Sequence, residues 1–184
     1  MEKKQILFIH SAGRQGPGLH DGSTDFRQFL EKSLPGYDFR SPLMPNPEAP
    51  SYKLWRDKFA EEFNRLDDGA ILIGHSLGGS VILKFLSEQK IIKSLAGVFI
   101  AASPFWSADK DWQVSEYNLR ENVGSYLPTT RYFFYQSAEE DVIPRAHFEK
   151  YAQALPQATA RLVNAGGHQI MNGLPELVED IASL

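Results

Sequence analysis

The sequence has no cysteine among its 184 residues. Disulfide bonds, thiolate metal sites and a cysteine nucleophile are therefore excluded. Neither sign of charge dominates, since 19 Lys and Arg stand against 23 Asp and Glu for a formal net charge of −4. The charged residues are interspersed and form no basic face, which argues against nucleic acid as a partner.

Long apolar runs are also missing. The N-terminal segment MEKKQILFIH has two lysines and then a short apolar run, which is too short for the core of a signal peptide or for a membrane span. We therefore expect a strand there, no membrane insertion and a cytoplasmic protein. The composition, 42% hydrophobic and 23% charged, is typical of a globular protein, and the length predicts one domain over residues 1–184.

Short β-type runs alternate with longer segments of helical period along the chain. Strands are predicted at residues 5–9, 37–41, 70–73, 94–101, 131–136 and 158–163. Helices are predicted from the apolar spacing around residues 26–34, 55–66, 81–86, 148–155 and 177–181. The alternation predicts an α/β fold of three layers (α/β/α), with a central, mostly parallel sheet of about six strands and no separate cap domain.

One long connection breaks this alternation. Residues 103–130 contain the aromatic side chains Phe105, Trp106, Trp112, Tyr117 and Tyr126. A connection of this length is usually functional, unless part of it is an unrecognised helix. We expect it to form a lid or the wall of a pocket.

The segment Gly74-His75-Ser76-Leu77-Gly78 lies between an apolar strand and an amphipathic helix. A serine hydroxyl is a weak nucleophile and must project towards a base, which a sharp strand-to-helix turn achieves. Such a turn crowds the positions on either side of the serine, where glycine fits best. The motif predicts Ser76 as a catalytic nucleophile; a glycine turn without catalytic function is the alternative.

His168 is the candidate base. It follows two glycines on a loop after the last predicted strand, which agrees with the chain order serine, acid, histidine. A capping or surface histidine is the alternative. We expect His147 to be solvated on a helix, and His75 to pack or form hydrogen bonds rather than act as the base.

The acid of a triad is expected just after the strand predicted at residues 131–136. Three carboxylates compete there: Glu139, Glu140 and Asp141. A run of three acids is usually a solvated turn, and at most one of these can orient the imidazole.

With Ser76 and His168 assigned, the sequence resembles the small serine hydrolases related to retinoblastoma-binding protein, the YdeN-like branch of the α/β-hydrolase fold. The resemblance covers nearly the whole chain. It is carried by residues 43–47 (LMPNP), 74–79 (GHSLGG), 137–144 (SAEEDVIP) and 167–168.

This resemblance implies the acid. In such proteins an aspartate usually lies four residues before the proline that corresponds to Pro144, and without a gap that position is Glu140. His147 keeps the same register beyond it. Glu140 is therefore the predicted acid, with Asp141 as the alternative, although glutamate departs from the usual aspartate.

The first loop departs from relatives on this fold, which often begin it with His-Gly, whereas here it has Ser11 in place of the glycine. An oxyanion hole is expected to use the backbone N–H of Leu77 and a second N–H from Ala12 or Ser11. Because these donors belong to the main chain, Ser11 need not abolish the hole.

These residues predict acyl transfer from a small carboxylic ester or thioester to water, with no metal and no cofactor. Met44, Phe105, Trp106 and Trp112 are expected to line the substrate pocket, with ordinary core filling as the alternative. The rival hypothesis is an inactive protein of the same fold that binds a protein or ligand.

Overall fold

The computed structural model describes residues 3–16 and 22–184. Six strands form one sheet in the order β2-β1-β3-β4-β5-β6, and every neighbouring pair is parallel. The strands are Gln5–Ile9 (β1), Asp38–Arg40 (β2), Ala70–His75 (β3), Leu95–Ala101 (β4), Arg131–Ser137 (β5) and Thr159–Val163 (β6).

Five helices cover the sheet on both faces. They are Thr24–Ser33 (α1), Tyr52–Asn64 (α2), Leu77–Glu88 (α3), Arg145–Ala154 (α4) and Pro175–Ala182 (α5). Helices α1 and α5 pack on one face, and α2, α3 and α4 pack on the other. The predicted three-layer architecture without a cap is thus confirmed. None of the helices in the described ranges has the length and hydropathy needed to span a bilayer.

The alternation of side chains along each strand separates two hydrophobic cores. In β1, Leu7 and Ile9 join the core beneath α2, α3 and α4, whereas Ile6 and Phe8 join the core beneath α1 and α5. All four side chains are fully buried. A strand whose two faces are both covered needs apolar residues at every position, which explains the continuous apolar runs in the sequence.

The predicted strand boundaries hold to within one or two residues, whereas α2, α3 and α4 begin three or four residues before the apolar positions from which they were predicted. The largest difference among the strands is in β3, which continues through Gly74 and His75 because these residues pair with Ile100 and Ala101 of β4. Ser51 caps α2 by accepting the N–H of Leu54.

The long connection of residues 103–130 has two short 3₁₀ turns, Ser115–Tyr117 and Val123–Ser125, and no α-helix. It packs back over α4, and this packing makes the expectation of a solvated His147 wrong. His147 is fully buried. Its Nδ1 accepts the N–H of Phe105 at 3.0 Å, and its Nε2 lies 2.9 Å from a carboxylate oxygen of Asp109.

The start of α3 lies directly against the backbone of β1. A Cβ placed on Gly78 would overlap the carbonyl oxygen of Ile9 and would lie 2.6 Å from that of His10. A Cβ on Gly74 would lie 2.6 Å from the Cα of Gly79. Both positions need glycine because backbone, which cannot rotate away, occupies the space.

We predict that Gly78→Ala lowers the free energy of unfolding by about 1–3 kcal/mol, because α3 must move off β1 to admit the methyl group. Gly36→Ala is the matched control, since Gly36 has an open surrounding and no left-handed φ; its effect should stay within about 0.5 kcal/mol. Urea denaturation of both variants measures the difference. Equal stabilities would contradict the prediction.

Candidate active site

Ser76 lies at the turn between β3 and α3. Its backbone has φ 51° and ψ −120°, a conformation that is strained for a residue with a side chain. The turn is held because Ser76 donates its N–H to the carbonyl of Ala101 at 2.9 Å, while its own carbonyl accepts the N–H of Gly79 at 3.0 Å. The strain therefore falls on the residue that the sequence singled out as a nucleophile.

Three side chains form a hydrogen-bonded line that starts at Ser76. The Nε2 atom of His168 lies 3.1 Å from Ser76 Oγ, and its Nδ1 atom lies 2.9 Å from a carboxylate oxygen of Glu140. The side chains of His168 and Glu140 are 13% and 3% exposed. The arrangement can move a proton from the serine to the imidazole and can stabilise the resulting positive charge.

The same oxygen of Glu140 also accepts the backbone N–H groups of Val142 and Ile143, each at 3.0 Å. These two donors fix the carboxylate in the tight turn after β5. Asp141, the alternative acid, contacts the backbone N–H of His168 at 3.3 Å instead of its ring.

The three neighbouring acids thus make three different contacts with the loop that carries His168. Glu139 accepts the N–H of Gly166 at 3.1 Å, Glu140 contacts the His168 ring, and Asp141 contacts the His168 backbone. Glu139 and Asp141 are exposed, as expected for a solvated turn, but their contacts with this loop were not foreseen from the sequence. The loop can follow this path because Gly167 has φ +78°, a region that glycine enters at little cost.

Two candidate backbone donors belong to residues that line the same site. Within the described residues, the N–H groups of Leu77 and Ala12 donate to no protein acceptor, and both residues line the cavity beside Ser76. The N–H of Ser11, the alternative donor, is instead taken by Ser23 Oγ at 2.6 Å. Of these two alternatives, only Ala12 has an N–H without an acceptor among the described residues.

The site opens into a cavity of about 550 Å³. Its described lining is mostly apolar, with Ser76 and His168 at one side. Other lining residues are Pro50, Leu77, Pro104, Trp106, Trp112, Val114, Tyr117 and Val142, with Arg14 and Glu116 as the charged ones. A cavity of this size and character accommodates a small organic molecule.

Two of the four predicted pocket residues line this cavity, Trp106 and Trp112. Trp106 is fixed by donating its indole N–H to Ser80 Oγ at 2.9 Å, and its ring stacks on Tyr117 with centroids 5.0 Å apart. Trp112 packs against Trp106 at 5.3 Å. The connection of residues 103–130 therefore forms a wall of the cavity.

The predictions for Met44 and Phe105 were wrong, because neither is among the described residues that line the cavity. Met44 is 3% exposed and belongs to the hydrophobic core. Next to it, Trp55 of α2 donates its indole N–H to the carbonyl of Pro45. Phe105 turns towards α4, where its ring meets Tyr151 edge-on at 5.0 Å.

Several lining residues were not singled out as pocket residues from the sequence, among them Val114, Tyr117 and Val142. Tyr117 lies in the aromatic connection, which was a usable signal, and Val142 directly follows the run of acids. Within the described residues, no group of three His, Asp or Glu side chains is arranged to hold a metal ion.

Relatives of this chain share its fold and part of its sequence. YdeN of Bacillus subtilis is 34% identical over 102 residues, a match that spans 54% of this chain and about half, 50%, of the relative. The crystal structure of the ydeN gene product superposes with a TM-score of 0.78 at 23% identity and covers 98% of both chains. A YdeN-like protein from Pectobacterium atrosepticum gives a TM-score of 0.67 at 14% identity, covering 98% of this chain and 90% of the other.

Most of the sequence also matches the profile of one protein family. The profile of the alpha/beta hydrolase family aligns with residues 6–177, which include the whole sheet except Gln5, the first residue of β1, and the residues Ser76, Glu140 and His168. The chain therefore belongs to the alpha/beta hydrolase family.

Proposed function

We propose that the protein is a serine hydrolase that cleaves a small carboxylic ester or thioester through an acyl-serine intermediate. The observation that carries the proposal is the unbroken line of hydrogen bonds from Ser76 through His168 to Glu140. The Ser76 end of this line lies at the cavity. Nucleophile, base and acid then have the geometry that acyl transfer requires.

In this reaction His168 acts as the general base. Its Nδ1–H donates to Glu140, which leaves the lone pair of Nε2 facing the Ser76 hydroxyl. As Ser76 Oγ attacks the substrate carbonyl, Nε2 takes the hydroxyl proton, and the carboxylate of Glu140 stabilises the imidazolium.

The oxyanion of the tetrahedral intermediate is bound by the free N–H groups of Leu77 and Ala12. Leu77 is the first residue of α3, so the positive end of the helix dipole adds to its effect. One such donor typically contributes about 3 kcal/mol of transition-state stabilisation. The oxyanion is bound by main-chain N–H groups. These groups are present whether the first loop has Ser11 or the glycine that relatives often have there.

Collapse of the intermediate transfers the proton from His168 to the leaving group and leaves the acyl group on Ser76. Water then attacks the acyl-serine with the same base, and the acid product leaves. His168 mediates every proton transfer in this sequence, and the backbone donors stabilise the oxyanion without giving up a proton.

The cavity favours a compact substrate with an aromatic or short acyl part. The indole rings of Trp106 and Trp112 and the phenol of Tyr117 offer flat apolar surface near Ser76. Aromatic surfaces of this kind bind planar groups by stacking and edge contacts.

We predict that a fluorophosphonate probe labels Ser76 and that Ser76→Ala abolishes labelling. Hydrolysis of p-nitrophenyl acetate should fall by about 10³-fold or more in this variant. Ser87→Ala is the control, because Ser87 is a buried serine of α3 whose hydroxyl binds the carbonyl of Lys84, away from the cavity. Mass spectrometry of the labelled protein locates the probe; a label elsewhere, or turnover that survives Ser76→Ala, would refute the proposal and favour a binding protein.

We predict that Glu140→Gln lowers kcat by about 10²–10⁴-fold, because a neutral amide neither fixes the tautomer of His168 nor stabilises the imidazolium. Asp141→Asn should lower kcat less than about fivefold, since the amide oxygen of Asn can still accept the N–H of His168. Steady-state kinetics on both variants test the ranking. The reverse ranking would make Asp141 the acid.

We predict that Trp112→Ala raises the KM for phenyl acetate about five- to tenfold and changes the KM for ethyl acetate less than twofold. The lost indole face contacts an aromatic group, and tenfold in binding corresponds to about 1.4 kcal/mol. Both reactions are measured by the release of protons. Leu162→Ala, on the exposed strand β6, serves as the control. An equal change for both esters would count against an aromatic subsite.

A further inference from the structure

We propose that His75 is a positioning residue, which sets the relative placement of the base loop and the oxyanion loop through its two ring nitrogens. The inference rests on the proposed function, because it assigns a role within that reaction. His75 is the last residue of β3 and directly precedes Ser76. Its side chain is fully buried.

Both nitrogens of the ring are engaged. Nε2 lies 2.7 Å from the backbone carbonyl oxygen of His168, and Nδ1 lies 2.7 Å from Ser23 Oγ. Ser23 Oγ in turn accepts the N–H of Ser11 at 2.6 Å and lies 3.0 Å from Ser11 Oγ. An unbroken chain of hydrogen bonds therefore joins Ser11, Ser23, His75 and His168.

The chemistry of the partners fixes every proton in this chain. A carbonyl oxygen can only accept, so Nε2 carries the proton of His75 and donates it to His168. Nδ1 then has a lone pair and accepts the one hydroxyl proton of Ser23. The oxygen of Ser23 accepts the N–H of Ser11, and in the contact between the two hydroxyl groups Ser11 Oγ must be the donor. Burial, and then the nearby His168, lower the pKa of His75 to about 3, so the ring stays neutral and keeps this tautomer at neutral pH.

The two ends of this chain of hydrogen bonds lie in the two loops that the proposed reaction uses. At one end lies the backbone of His168, whose ring contacts Ser76. At the other lies Ser11, the residue before the free N–H of Ala12. The middle of the chain, His75, is held in the sheet by its pairing with Ala101 of β4. The sheet thereby sets the distance between base and oxyanion donor.

The ring packing of His75 allows a test that removes the hydrogen bonds while keeping the shape. The ring meets Phe26 edge-on at 5.7 Å and lies 5.3 Å from the His168 ring. Phenylalanine fills this space without either hydrogen bond. Glutamine places an N–H near the position of Nε2 and can restore the bond to His168 alone.

The first experiment measures kcat and KM for p-nitrophenyl acetate in the full-length variants. We expect His75→Phe to lower kcat about 10- to 100-fold with KM within about threefold, because misplacement of reacting groups by a fraction of an ångström costs rate more than binding. His75→Gln should recover most of the loss. Wild-type kcat in a folded His75→Phe protein, or no recovery in His75→Gln, would overturn the inference.

Tyr135→Phe is the control for a loss of stability alone. It removes the buried hydrogen bond from Tyr135 to Asp180, 2.6 Å long, near α5, and should leave kcat within twofold. A kcat loss in His75→Phe that only follows its unfolded fraction, as judged by thermal melts, would also refute the inference. If His75→Phe does not fold, Ser23→Ala cuts the chain at its next link; unchanged kcat there would refute the role equally.

A second measurement does not depend on turnover. Amide hydrogen exchange should accelerate in His75→Phe at residues 166–169 and 11–14 and remain unchanged there in Tyr135→Phe. This holds even if the wild-type protein hydrolyses no ester, so failure of the proposed function and failure of this inference give different results. Unchanged exchange in both loops would show that His75 does not hold them.

Discussion

The contact between the start of α3 and the backbone of β1 is the constraint on which the site depends. Gly78 lies against the carbonyl oxygens of Ile9 and His10, and Ser76, two residues earlier, has a positive φ of 51°. That conformation costs of order 1–3 kcal/mol. The burial of apolar side chains in the two cores between the sheet and the five helices offsets this free energy. The serine that we propose as the nucleophile is thus positioned by packing on both sides of the sheet.

The sequence was most informative where chemistry and backbone geometry are local. Ser76, with glycines on either side, and His168, after two glycines, could be identified because a turn needs particular residues within a few positions. The apolar runs of the sheet were equally readable, since burial on both faces demands them. The choice between Glu140 and Asp141 rested on the resemblance to a known family, and the contacts of the two carboxylates with His168 became visible only in the three-dimensional structure.

Residues whose environment depends on distant segments were harder to predict. His147 looked solvated because its helix has polar neighbours, yet residues 105–109 fold over it and use both ring nitrogens. Met44 and Phe105 were assigned to the pocket for their apolar character, which does not distinguish a cavity wall from a core. The path of a long connection is a tertiary property, and no local pattern encodes it.

The wall of the cavity and the reacting groups belong to separate parts of the chain. Trp106 and Trp112 lie on a segment without regular secondary structure that is tied to α4 through His147, whereas Ser76 and His168 follow strands of the sheet. Evolution can therefore rebuild the wall by substitutions or insertions between β4 and β5 and so admit other molecules, while the chemistry next to the sheet is inherited unchanged. A division of this kind allows one scaffold to diversify its specificity without losing its reaction.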